Sequence, residues 1–108
     1  MPIRSEEYNG VSVFTVEGDL SGETVLEAQR LLHGPVVRSL VFDLKDCAFI
    51  DSPGLELLSR TRRRYDEAGC RIGLARVGHN CRKILEITRL AARFDCHVDL
   101  ARALAAAR

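Results

Sequence analysis

The spacing of apolar positions changes several times along the chain, and each change marks an element. Residues 11–16, VSVFTV, place Val11, Val13, Phe14 and Val16 on both faces of an extended segment, as expected of an inner strand. The preceding IRSEEY is a second extended candidate. Asn9-Gly10 between them offers the two positive-φ positions of a type I′ turn, which predicts a hairpin. After Gly18 the period lengthens, and Val25, Leu26, Ala28, Leu31 and Leu32 are expected on one helical face, with Ser21 as N-cap and Gly34-Pro35 as the stop. SLVFDL then forms a short, nearly continuous apolar run, the pattern of a parallel strand covered on both sides.

The second half repeats this alternation. Leu55, Leu58, Thr61/Arg62, Tyr65 and Ala68 recur every three to four residues, predicting a helix that ends at Gly69. RIGLARV predicts a further strand. NCRKILEITRL predicts a third helix, with Ile84, Leu85 and Ile87 inward and Asn80 as its cap. Val98 is a candidate for a small edge strand, and DLARALAAAR for a closing helix capped by Asp99. Strands alternating with helices imply an α/β fold in one domain spanning residues 1–108. The expected sheet is mixed and mostly parallel, of about four to five strands, opened by the hairpin and packed with about four helices.

Composition narrows the function classes. A chain of 108 residues with 46% apolar and 29% charged residues can bury one core without staples. Its formal charge of +1 gives no general attraction to nucleic acid or anionic lipid. No stretch approaches the roughly 18–20 apolar residues of a membrane span. The opening MPIRSEEYNG has no hydrophobic signal core, so a cytoplasmic location without membrane insertion is expected. Cys47, Cys70, Cys81 and Cys96 form no C-x-x-C. The pairs His79 with Cys81 and Cys96 with His97 lack a second pair at zinc-finger spacing, which predicts free, partly buried thiols and no cofactor. RTRRR puts Arg60, Arg63 and Arg64 on the outer face of the second helix. That is a solvated face beside Asp66 and Glu67 or, more sharply, a docking patch for an acidic partner. No aromatic residues interleave with these arginines, so no nucleic-acid platform is expected.

The candidate chemistry lies in FIDSPGLELL, residues 49–58. As local structure, Ser52 would be the N-cap of the second helix, with Pro53 at N1, where its missing N–H costs nothing, and Leu55 at N3. A nucleophile is disfavoured: a G-x-S-x-G elbow needs glycine where Ile50 stands, and His33, His79 and His97 all lie far off in sequence. Enzyme activity is therefore not expected. A switch has a physical basis. Serine at a helix N-terminus after a parallel strand sits at the carboxyl edge of the sheet, and a phosphate there adds about −1.5 to −2 charges beside Asp51.

Residues 40–77, LVFDLKDCAFIDSPGLELLSRTRRRYDEAGCRIGLARV, resemble the core of a STAS domain, the fold shared by bacterial anti-sigma factor antagonists and the cytosolic tails of sulfate transporters. VEGDLSGETV resembles the family's G-E-L-D turn, and NCRKILEITRLAARF its third helix, so the likeness covers about residues 8–104. The resemblance implies a non-enzymatic partner switch. Unphosphorylated, such an antagonist binds an anti-sigma factor with serine kinase activity and frees a sigma factor. The kinase phosphorylates the motif serine, here Ser52, and a PP2C-like phosphatase restores it. Asp51, Pro53, Gly54 and Leu55 would shape the docking surface, with Asp19 and Ser21 of the 19–21 turn and His79 and Asn80 of the 78–80 loop beside them. Gly54 would leave room for a partner's backbone.

The chain departs from the family pattern at three places. Pro53 stands where a second Ser or Thr is frequent, and it removes an N–H that could hold a phosphate. Ser21 stands where aspartate is frequent, with Asp19 two positions earlier. Arg89 stands where the third helix often has glycine, a change in the helix ending. Binding survives these changes more readily than efficient phosphorylation. The alternative is a STAS accessory subunit that docks constitutively on a membrane transporter or lipid-trafficking ATPase.

Overall fold

The computed structural model describes residues 3–108. Strands β1 (Ile3–Tyr8) and β2 (Val11–Val16) form the expected hairpin, with Tyr8 paired to Val11 and both Asn9 (φ 52°) and Gly10 (φ 82°) left-handed. β2 pairs parallel with β4 (Leu40–Asp43), β4 with β6 (Ile72–Ala75), and β6 with β7 (Asp95–His97). The five-stranded order is β1-β2-β4-β6-β7, and among the described residues the one antiparallel pair is the opening hairpin. The edge strand ends one residue before Val98, which is exposed.

Two further strands lie outside the sequence-based scheme. β3 (Gly18–Leu20) and β5 (Cys47–Ile50) pair parallel as a separate two-stranded sheet. At three and four residues they are too short to show a period. They matter because β3 leads into helix α1 (Gly22–Leu31) and β5 into helix α2 (Ser52–Glu67). The chain is completed by α3 (His79–Ile87), a 3₁₀ turn at Ala91–Arg93 and α4 (Leu100–Ala107).

Strand alternation divides the core between the two faces of the sheet. Leu40 and Phe42 of β4 join the larger core with Phe14, Val25, Leu57, Leu58, Leu74 and Leu85, and the Phe14 and Phe42 rings meet edge to face at 5.9 Å. Val41 and Ala75 point to the other face, where Ala103 and Ala107 let α4 lie close. Asp99 caps α4 as expected, accepting the Arg102 N–H at 2.7 Å.

Three expected core positions are corrected. Val25, Ala28 and Leu32 face inward from α1, whereas Leu26 and Leu31 are exposed, because they stand roughly a quarter to a third of a turn to either side. On α3, Cys81 and Leu85 are buried and Ile87 is exposed, lying about 200° round the helix from Leu85. α2 closes as predicted: Gly69 (φ 75°) follows the cap, and the Gly69 and Cys70 N–H groups return to the Asp66 and Tyr65 carbonyls, a Schellman ending. The arginine run is only partly a solvated face. Arg64 donates to the Leu32 and Gly34 carbonyls at 3.0 and 2.6 Å and so caps α1, and Arg62 donates to the Arg93 carbonyl at 2.8 Å.

Candidate functional site

Three segments meet around β5 at the carboxyl edge of the sheets. In the small sheet Asp19 pairs with Phe49 and Leu20 with Ile50, and the Asp51 N–H donates to the Leu20 carbonyl at 3.3 Å. That bond is where the strand pairing stops and α2 begins. Asp51 is extended (φ −91°, ψ −177°), and its Oδ1 accepts the Gly54 N–H at 2.8 Å. The N-cap of α2 is therefore Asp51, which shifts the expected cap by one residue. Ser52 is N1, Pro53 N2, Gly54 N3 and Leu55 N4. Two consecutive residues can each cap, and the carboxylate adds a favourable interaction with the helix dipole that a hydroxyl lacks.

This arrangement frees Ser52. Its side chain and that of Pro53 are exposed, whereas Gly54 is buried and Leu55 half-buried. The Gly54 N–H is held by Asp51, the Leu55 N–H by the Asp51 carbonyl at 2.9 Å, and Pro53 has none. The Ser52 N–H is what remains of the first turn's donors. Gly54 has a packing role: a Cβ there would overlap the Leu20 carbonyl oxygen and lie 2.9 Å from Ile50 Cγ2. The room left by this glycine is filled by β3 of the same chain.

The neighbouring turn is built on Thr24. Ser21 is the N-cap of α1 as expected. Its N–H donates to the Thr24 hydroxyl at 2.9 Å, and that hydroxyl lies 2.6 and 2.7 Å from the Asp19 and Ser21 carbonyls. Asp19 is exposed and Ser21 half-buried. Thr24 is a positioning residue that the sequence reading missed, although S-x-x-T has the spacing of a capping box. Phe49 was also missed. It is 48% exposed between Asp19 and the motif, because β5 turns Cys47 and Ile50 inward and Phe49 out.

The third segment enters α3. Its N-cap is Gly78 rather than Asn80, and His79 and Asn80 occupy the exposed first turn. A glycine cap leaves the orphan N–H groups without a side-chain partner, and Asn80 lies two positions too late to supply one. α3 is held to β5 by Cys81, whose thiol donates to the Cys47 carbonyl at 3.2 Å and lies 3.9 Å from the Cys47 sulfur. Burial pushes the Cys81 thiol up to about 12 and raises Cys47 as well, so both are protonated and unreactive near neutral pH. All four cysteines are free. Among the described residues no three His, Cys, Asp or Glu side chains gather as a metal set, and no helix is long and apolar enough to cross a membrane.

The loop before α3 is held from the opposite sheet face. Arg76 (φ 56°) follows β6, donates its N–H to the His97 carbonyl at 2.9 Å, and grips buried Asp43 through Nε at 3.1 Å and a second guanidinium nitrogen at 2.5 Å. The ends of β4, β6 and β7 are thus tied at one residue. Arg89 (φ 64°) ends α3 in the left-handed conformation usual for glycine, so the helix ending keeps a glycine-type geometry with an arginine in it.

A family model described as STAS domain matches residues 2–105. No curated protein matches the chain. An anti-sigma factor antagonist from Mycobacterium paratuberculosis is 28% identical, with a TM-score of 0.83 over 98% of this chain and 92% of its own. An anti-sigma-factor antagonist (STAS) domain protein from Planctomyces limnophilus is 22% identical, with a TM-score of 0.81 over 98% and 97%. A sulfate transporter family protein from Wolinella succinogenes shares the fold at 15% identity, with a TM-score of 0.80 over 93% and 86%.

Proposed function

The chain belongs to the STAS family, and on that premise we propose that it is an anti-sigma factor antagonist. With Ser52 unmodified it binds an anti-sigma factor that is also a serine kinase, and a sigma factor is released for transcription. The kinase transfers the γ-phosphoryl group of ATP to Ser52 Oγ, and a PP2C-like phosphatase hydrolyses the ester. The chain itself acts by binding, in the cytoplasm, and catalyses nothing.

The observation that carries this reading is the freedom of the Ser52 hydroxyl. Asp51 performs the capping, so Ser52 is exposed with no structural task. A phosphate there would stand next to the Asp51 carboxylate, one strand pairing from Asp19. A docked partner would meet about −1.5 to −2 added charges at the centre of the surface formed by Asp19, Ser21, Phe49, Asp51, Pro53, Leu55, His79 and Asn80. Gly54 and Thr24 serve that surface by holding its backbone. The likeness to the mycobacterial antagonist over nearly the whole chain supports the same assignment.

Pro53 favours a second reading. It supplies no N–H, and Gly54 and Leu55 have theirs engaged, so a phosphate gains little from the helix end. A constitutive accessory subunit of a membrane transporter or lipid-trafficking ATPase needs no phosphate. A pull-down from native lysate, with the intact mass of the unbound chain recorded, separates the two. Recovery of a kinase-type anti-sigma factor with one phosphate on Ser52 is the expected outcome. Recovery of transporter subunits with Ser52 unmodified would replace it.

A further inference from the structure

We propose that the small cavity enclosed by the opening hairpin and the carboxyl ends of α1 and α2 is a binding site for a phosphate group. Its volume is about 130 Å³, and its polar walls are Ser5 and Ser12 of the hairpin, His33 and Arg38 of the α1–β4 connection, and Tyr65 of α2. Ser5 pairs with Phe14, and Ser12 lies two residues before Phe14, so strand alternation sets both hydroxyls on the face that carries the cavity.

The decisive group is Tyr65. The residue is only 8% exposed, yet its hydroxyl has no hydrogen-bond partner among the described residues. Buried hydroxyls are normally paired, and one that lines a cavity is completed by what enters the cavity. Burial raises the pKa of this phenol, while Arg64 and Arg38 lie near enough to act against that rise, so two cations flank it. The Ser5 and Ser12 hydroxyls are likewise unpaired among the described residues. Three free hydroxyls and a guanidinium form a set of donors suited to a ligand that only accepts.

The charge favours an anion. No lining side chain is acidic. Arg38 meets Glu7 at 3.5 Å through one nitrogen, an exposed pair of the kind worth little, and keeps the rest of its fork. A hollow of about 370 Å³ adjoins the cavity, shares Val37 and Arg38, and adds Arg71 and Arg108, neither ion-paired among the described residues. The carboxyl ends of two helices would by themselves repel an anion. Here the Leu32 and Gly34 carbonyls are covered by Arg64, and those of Tyr65 and Asp66 are taken by the Cys70 and Gly69 N–H groups. Size agrees as well. At about 30 Å³ per water the cavity has room for about four waters, as many as a phosphate has oxygens. The adjoining hollow leaves space for the organic part of a phosphate ester.

This site is separate from the Ser52 surface. Tyr65 stands about 20 Å along the α2 axis from Ser52, and exposed charges are largely screened beyond about 8 Å at physiological ionic strength. Binding here is therefore indifferent to a charge at Ser52.

The test is a titration of the ¹⁵N-labelled chain with inorganic phosphate and with glycerol phosphate, ionic strength being held constant with chloride. Saturable shifts are expected at Ser5, Ser12, His33, Arg38 and Tyr65, and none when chloride alone is raised. Tyr65→Phe removes one oxygen and keeps the ring in place, and it should weaken binding about tenfold, as should Arg38→Gln. Ser52→Asp should bind as the parent does. Amide spectra establish that each variant is folded. Tighter binding of glycerol phosphate would assign the site to a phosphate ester, and equal affinity to free phosphate; both outcomes uphold it. Shifts that do not saturate, that chloride reproduces, or that gather at the amino ends of α2 and α3 would overturn the proposal. So would equal affinity in Tyr65→Phe, which would leave the cavity to water.

Discussion

Asp51 accepts the Gly54 N–H at 2.8 Å, and through that bond the acidic residue of the motif, not its serine, starts α2. The stability of the fold and the chemistry of Ser52 are thereby separated. Asp51→Ala should cost about 1 kcal/mol in urea unfolding, and Asp51→Asn less, since an amide oxygen still caps. Ser52→Ala should change stability by no more than about 0.5 kcal/mol. A larger loss in Ser52→Ala than in Asp51→Ala would mean that the cap is the serine.

At the proposed docking surface the same separation gives a binding prediction. Ser52→Ala should retain the anti-sigma factor in calorimetric titration, while Ser52→Asp and Ser52→Glu weaken it by like-charge crowding beside Asp51 and desolvation at the interface. Equal affinity for all three would remove the switch.

Gly54→Ala should destabilise the domain by about 1–3 kcal/mol, although alanine is the better helix former by about 1 kcal/mol. The added methyl has to enter the space of the Leu20 carbonyl, which belongs to backbone and moves only with β3. Chemical denaturation compared with Arg63→Ala, at an exposed position of the same helix, as a control measures this directly.

Two left-handed arginines should respond oppositely to glycine. Arg89 is exposed at the end of α3, so Arg89→Gly relieves a conformational cost of about 1 kcal/mol and raises the melting temperature. Arg76→Gly relieves the same cost but strands Asp43, which is only 3% exposed, and should be destabilising by about 1–3 kcal/mol. Thermal unfolding of the two variants side by side tests the pair.

Alkaline pH should weaken the fold through Cys81. Burial raises its folded-state pKa to about 12 from 9.0, so above pH 9 the unfolded chain loses a proton that the native chain keeps. Stability therefore falls between about pH 9 and 12, with a limiting slope of about 1.4 kcal/mol per pH unit for one thiol. Cys47 and Tyr65, both raised chiefly by burial, act in the same direction. Cys81→Ala should flatten this slope whatever it does to stability at pH 7, and an unchanged slope would exclude the thiol as its source.

Local chemistry alone determined a good part of this protein. Asn9-Gly10 favours a left-handed turn, Gly69 ends a helix because it adopts φ near 75° without the steric cost a side chain brings, and Asp99 caps because a carboxylate finds the N–H three residues on. Each signal lies within a few residues, so it is legible without the fold, and the strand–helix alternation followed from such signals. Tertiary structure decided what depends on partners distant in sequence. The pairing of β3 with β5 joins residues about thirty apart and brings Asp19 beside Phe49. It also explains Gly54, whose methyl would strike Leu20 rather than a neighbour in its own helix. Whether Leu26 or Ala28 faced inward, and whether Arg64 met water or the end of α1, depended on where the sheet and the second helix lay. Asp51 and Ser52 were equivalent caps by type, and the geometry of the strand entering α2 chose between them, leaving the hydroxyl free.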